Sequence, residues 1–125
     1  MELTVWVDAW QMQCCGQQFG VGSRVSWTLA EPDSDWLAVV LGADVTVDAA
    51  EEHHGGVPDG TPETAGRVTA ISAVHCRRSS SPGKDKQVQY PVPSSAALTP
   101  VSSADGWTPD RDDLHFVGYL VRVTA

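Results

Sequence analysis

Basic charge, cysteine and long apolar runs are all scarce in this sequence, and each shortage removes a class of function. Eight Lys and Arg face sixteen Asp and Glu, a formal charge of −8. Such an excess repels phosphate backbones at close range. The densest basic run is Arg77-Arg78, with Lys84 and Lys86 nearby, too little to cover a nucleic-acid-binding face. Nucleic acid is therefore not an expected partner. No stretch approaches the run of about 18 apolar residues that a membrane helix needs, so no membrane span is expected. Met1 to Asp8 carries neither a basic segment nor a long apolar one and does not read as a secretory signal.

Cysteine occurs three times, and Cys14 and Cys15 are adjacent. An odd count with a vicinal pair is not the disulfide framework of a small secreted domain. Thiols in a reducing cytoplasm are the expectation. Catalytic signatures are missing as well. There is no Gly-x-Ser-x-Gly, no Walker A loop and no dinucleotide-binding glycine pattern. Non-enzymatic function is the simpler reading.

What the chain does contain is alternation. At 125 residues it has the size of one domain, with enough surface to bury for a single core. Leu3 to Trp10 alternates with period two, placing Leu3, Val5, Val7 and Ala9 on one face and Thr4, Trp6, Asp8 and Trp10 on the other. Gln11 to Gly16 reads as a turn or a short irregular excursion. Val25, Trp27 and Leu29 share a face of a second strand, entered through Gly20 and Gly22. Gly66 to Arg78 predicts a long strand, with Val68, Ala70, Ser72, Val74 and Cys76 on one face and Thr69, Ile71, Ala73 and His75 on the other. Ser79 to Asp85 predicts a hairpin tip, and Gln87 to Val92 the returning strand. Leu98 to Ser102 predicts an edge strand, because Pro100 cannot donate to a ladder. Leu114 to Val123 is apolar on both faces, which predicts a central strand.

One helix is expected over Asp33 to Leu41, capped by Asp33 or Ser34 and stopped by Gly42. Asp48 to His54 is open to two readings: a helical turn with capping-box spacing, or a strand through Val45 to Val47. Many short strands, one brief helix and frequent Gly/Pro turns predict a mainly β, single-domain fold. The expected architecture is a small antiparallel barrel or rolled sheet, SH3-like or OB-like.

Two constellations could carry chemistry. Cys14, Cys15, His53, His54 and Cys76, with His75 beside the last, supply thiolate and imidazole from three separate segments. Zinc takes about four such ligands in a tetrahedron, so a structural or hydrolytic zinc site is one expectation. Against it, no Cys-x-x-Cys or His-x-x-x-His knuckle is present, and buried free cysteine is commonly a small hydrophobe. A Cys/His dyad is chemically feasible, but no local pattern marks a nucleophile. Glu51-Glu52 and Asp112-Asp113 read as solvated acids. The second constellation is aromatic. Trp27 and Trp36 have core periodicity, whereas Trp6, Trp10 and Trp107 lie among polar residues and could form an exposed patch. The leading expectation is thus an interaction module presenting Trp6, Trp10 and Trp107 to a protein or small-molecule partner.

The runs Val5-Trp6-Val7-Asp8-Ala9-Trp10-Gln11-Met12-Gln13-Cys14-Cys15-Gly16, Glu51-Glu52-His53-His54-Gly55 and Phe116-Val117-Gly118-Tyr119-Leu120 carry a resemblance. Together they resemble an uncharacterised family of short actinobacterial proteins, a domain of unknown function. The resemblance spans essentially the whole chain. Ser23 departs from the acidic residue expected at that strand entry, and Ser makes the same local turn bond more weakly. The resemblance implies a cytoplasmic bacterial protein and brings no activity, cofactor or site residues with it.

Overall fold

The computed structural model describes residues 1–53, 56–80 and 89–125. Strand β1 (Glu2–Asp8) ends one residue pair earlier than its alternation implied. Asp8 becomes the N-cap of a helix, α1 (Ala9–Cys15), where its carboxylate accepts from the Trp10 N–H. That cap satisfies one orphan donor of the first turn. Residues 11–16, expected as a turn, therefore belong mostly to a second helix. Ala9, Gln11 and Met12 are its buried side.

Short strands β2 (Phe19–Gly20), β3 (Arg24–Trp27) and β4 (Leu29–Ala30) follow. Helix α2 (Ser34–Leu41) forms where the periodicity placed it, with Asp33 as N-cap and Gly42, at φ 90°, as its stop. Neither reading of the next segment holds: the strand expected through Val45 to Val47 does not form, and the stretch read as a helical turn instead contains strand β5 (Ala49–Glu51). It pairs parallel with β1, Val5 opposite Ala49 and Trp6 opposite Ala50. Tertiary pairing thus overrides the local capping-box spacing. This pair also makes the sheet mixed, where wholly antiparallel pairing was expected.

Strand β6 (Thr64–Cys76) is the long strand, and β7 (Arg78–Ser80) pairs antiparallel with β8 (Gln89–Pro91) as the expected hairpin arm. The tip of that hairpin lies outside the described residues. Among the described residues, strand β9 (Ala97–Val101) pairs with β6 alone, consistent with Pro100 at an edge. Strand β10 (Ser103–Ala104) pairs with β2, and β11 (His115–Thr124) runs between β6 and β1.

The main sheet has the order β3-β6-β11-β1-β5-β4. Only Thr28 separates β3 from β4, so one bent stretch of chain pairs with β6 at one edge and with β5 at the other. Glu52 N–H donates to the Thr28 carbonyl at 2.9 Å and tightens that seam. The sheet is a nearly closed barrel, and its edges are mostly used up.

Two apolar clusters hold it. Val5, Val7, Val68, Ile71, Tyr119 and Val121 fill the interior, with Met12 of α1 closing over them. Each fully buried side chain of this kind is worth about 1.5–3 kcal/mol. Outside the barrel, Leu37 and Val40 of α2 join Trp6, Val74, Cys76 and Val117. Helix α2 therefore lies on the outer face, and β11 is covered on both sides as its composition required.

Alternation alone misassigns some faces because β6 and β11 are bulged. Register shifts fall between Phe116 and Gly118 and between Arg122 and Val123. An inserted residue reverses the pleat locally. Val68 consequently sits inside with Ile71 and Ala73, and Phe116 inside with Tyr119, while Val117 turns outward.

Candidate functional site

The end of the barrel where β1 and β5 run out is the chemically dense part of the molecule. Helix α1 leaves β1 at Asp8, and β5 leaves the sheet beside it at Glu51. The Glu51 side chain is buried at 8% relative exposure, so it is not the solvated acid its neighbour Glu52 suggested. Its carboxylate accepts from His53 Nδ1 at 2.8 and 3.0 Å. His53 Nε2 points at the Gln11 carbonyl oxygen, 2.9 Å away. Gln11 completes the knot: its side-chain oxygen accepts from His53 N–H and its amide donates to Glu52.

Both ring nitrogens of His53 thus face pure acceptors, and only a doubly protonated imidazole can donate to both. The electrostatics agree. Partial burial pulls the His53 pKa down, but the hydrogen bond and charge of Glu51 outweigh it and leave the value raised. In this arrangement the ring has no lone pair for a metal or a thiol proton.

This knot separates two concavities. One, about 650 Å³, has Cys15, Phe19, Trp27, Glu51, His53 and Glu63 among its walls. Phe19 and Trp27 meet edge to face there, centroids 5.1 Å apart. The other is a groove of about 320 Å³ on the outer side of β1, walled by Trp6, Trp10 and Trp36. Trp6 and Trp36 stand edge to face at 5.7 Å. Four carboxylates line the same groove: Asp8, Glu31, Asp33 and Glu51. Burial pushes the Asp8 carboxyl above its ordinary value, opposed by the Trp6 indole N–H, the Trp10 backbone N–H and the charge of Arg78.

The tryptophans expected to form one exposed patch are divided by the fold. Trp10 is 55% exposed and Trp107 is 65% exposed, but Trp6 is 4% exposed. Trp6 is a core residue of the outer cluster whose indole forms a groove wall, which corrects its reading as a presented side chain. Trp10 is not on the strand face of Trp6 but on the first turn of α1. Trp107 sits on a loop closed by Asp105, whose side chain accepts from the Trp107 N–H at 2.8 Å, and it is not among the groove residues. Trp36, assigned to the core, supplies the third wall. Asp8 was legible on the same face as Trp6 and Trp10. Glu31 and Asp33 carried no signal beyond their neighbourhood to a helix cap.

The thiols and imidazoles are divided too. Cys14 and Cys15 are exposed at the end of α1, whereas Cys76 is enclosed in the outer cluster. Burial raises the Cys76 thiol pKa. His75 is 1% exposed and packs on Phe116, its Nε2 donating to the Pro109 carbonyl. Its buried Nδ1 has no hydrogen-bond partner among the described residues. His54 lies outside the described residues. Among those described, no three His, Cys, Asp or Glu side chains gather closely enough to hold a metal ion. No described helix is long and apolar enough to cross a membrane.

Comparison with known proteins adds one match. A family model described as "Family of unknown function (DUF6578)" fits residues 1–125. The comparison finds no match among curated proteins and none among solved structures.

Proposed function

The chain belongs to DUF6578 over its whole length, and since that family brings no activity with it, we propose a function from the site alone: a binding module whose outer groove receives an alkylammonium group. The observation that carries this reading is the three-tryptophan, four-carboxylate lining of one 320 Å³ groove. Indole faces attract a cation through their quadrupole, by about 0.5–2 kcal/mol depending on desolvation. Carboxylates at the rim add Coulombic attraction that strengthens as water is displaced. A neutral apolar guest would gain the aromatic contact but would desolvate those carboxylates further without supplying an opposite charge. An anion would meet repulsion from the groove and from a chain of net charge −8.

The half-buried Asp8 is the residue whose environment such a guest would most improve. Desolvation already disfavours its ionised form, and a cation alongside would offset that cost. A free ion and a lysine side chain of a partner protein present the same recognised chemistry. A fluorescence titration separates the sources, because Trp10 is exposed enough to report occupancy. Tetramethylammonium and Nα-acetyl-lysine amide should each change emission saturably, and a neutral tert-butyl compound of similar shape should not. Preference for the lysine probe assigns the site to a protein partner, and preference for the free ion to a small molecule. Equal responses to charged and neutral probes, or no response to any, defeats the proposal.

A further inference from the structure

The vicinal thiols at the end of α1 are not used by the groove, and their geometry has its own consequence. Cys14 Sγ lies 2.6 Å from Cys15 Sγ, closer than two non-bonded sulfurs normally rest. Both residues are exposed. They are the last two residues of the helix, and Gly16 follows at once in an extended conformation, its N–H returning to the Met12 carbonyl. Cys15 also forms part of the wall of the 650 Å³ concavity, which gives a small molecule a route to the pair. Cys76 is buried and cannot take part.

We propose that Cys14 and Cys15 form a modification site, a dithiol that a low-molecular-weight disulfide converts to a vicinal disulfide by thiol–disulfide exchange. One cysteine loses its proton to water, and its thiolate attacks a sulfur of the small disulfide. A mixed disulfide forms and one small thiolate leaves. The second cysteine, deprotonated in turn, attacks the protein-bound sulfur of that mixed disulfide; the vicinal bond forms and the second small thiolate leaves. The two released thiolates take up the two protons, so two protein thiols are oxidised and one disulfide is reduced to two thiols. The attacking species at each step is a thiolate, as this exchange requires.

Adjacency favours the second step over capture by another chain, because the resolving sulfur is already in place. The Cys15 thiol is raised above its ordinary value, first by its hydrogen bond with Cys14. Successive residues of a helix project from different sides, so closing the ring takes residues 14 and 15 out of helical geometry. Because α1 ends at Cys15, only its last turn has to yield.

The test is a thiol count after equilibration of the intact chain with glutathione disulfide. Denatured, alkylated protein carries three reactive cysteines when reduced. The proposal expects that count to fall to one, in a monomer lighter by two hydrogens and restored by dithiothreitol. Cys14→Ser and Cys15→Ser should each stall as the glutathione adduct, since the resolving thiol is gone, while Cys76→Ser should behave as wild type. Three alkylated cysteines after oxidation, a persistent adduct on the wild-type chain, or a covalent dimer each overturns it. The readout does not depend on any groove ligand, so this proposal and the ammonium reading fail separately.

Discussion

His53 Nδ1 stands 2.8 Å from the Glu51 carboxylate, and the residue that supplies this counter-charge is itself buried in the seam between β1 and β4. The pair ties the end of β5 to α1 through Gln11. It makes stability pH-dependent in a definite direction. The raised His53 pKa contributes stability that is complete below the ordinary imidazole value of 6.5 and is lost as pH rises through the folded value. The difference in melting temperature between wild type and His53→Gln should therefore be largest under mildly acidic conditions and shrink as pH rises above 6.5. Parallel melting profiles would show that the ring carries no extra proton in the fold.

Asp8 holds two jobs that substitution can separate. As the cap of α1 it can be replaced by Asn at little cost, whereas Ala loses about 1 kcal/mol of helix stability. As a carboxylate with a raised pKa it disfavours the folded state once it is ionised. Asp8→Asn should be at least as stable as wild type at neutral pH and should bind the ammonium probes more weakly. Urea unfolding and the fluorescence titration, run on the same preparations, check both halves.

Trp6 and Trp10 should answer oppositely to truncation. Trp6 is 4% exposed, and Trp6→Ala should cost about 3–5 kcal/mol through lost packing against α2. Trp10 is 55% exposed, and Trp10→Ala should leave the urea midpoint nearly unchanged while removing the emission response to ligand. A large destabilisation by Trp10→Ala would place that ring in the core.

Gly118 is required by close approach. A Cβ there would meet the Trp6 ring and the Val7 carbonyl oxygen at 2.6 Å each. Neither neighbour has room, since Trp6 is itself wedged in the outer cluster. Gly118→Ala should lose about 1–3 kcal/mol as an overpacked site, and a neutral result would contradict the packing of β1 on β11.

Chelation should do nothing. Cys76 is sealed in an apolar cluster and both His53 nitrogens face acceptors, so the zinc set expected from composition is not assembled among the described residues. Metal analysis of untagged protein, with a melting curve in EDTA, should show no stoichiometric zinc and no shift. Stoichiometric zinc with a lowered melting temperature would restore the metal reading.

The strands were largely legible because period-two alternation survives wherever one face is buried, as in Leu3-Val5-Val7 and Tyr119-Val121-Val123. Faces were lost at the bulges near Val68 and Phe116, since nothing local announces an inserted residue. Helix α1 was hidden because Ala9 and Trp10 extend the strand's alternation past Asp8, although Asp8 is a good cap. The groove was half visible. Trp6, Asp8 and Trp10 read as neighbours, but Trp36 and Asp33 arrive from α2, and Glu51 from a parallel pairing whose long-range origin no local pattern records. Cys14 and Cys76 are separated for a related reason: among the described residues the wrapping carries Cys76 into the outer cluster and leaves Cys14 exposed at the end of α1, which residue type alone does not record.

The central claim is that Trp6, Trp10 and Trp36 surround one cation, and the indole N–H resonances test it most directly. Addition of tetramethylammonium to ¹⁵N-labelled protein should shift the indole signals of those three residues together, with one dissociation constant, and leave Trp27 and Trp107 in place. Shifts concentrated on Trp107, or a spectrum unchanged at saturating ligand, would contradict it.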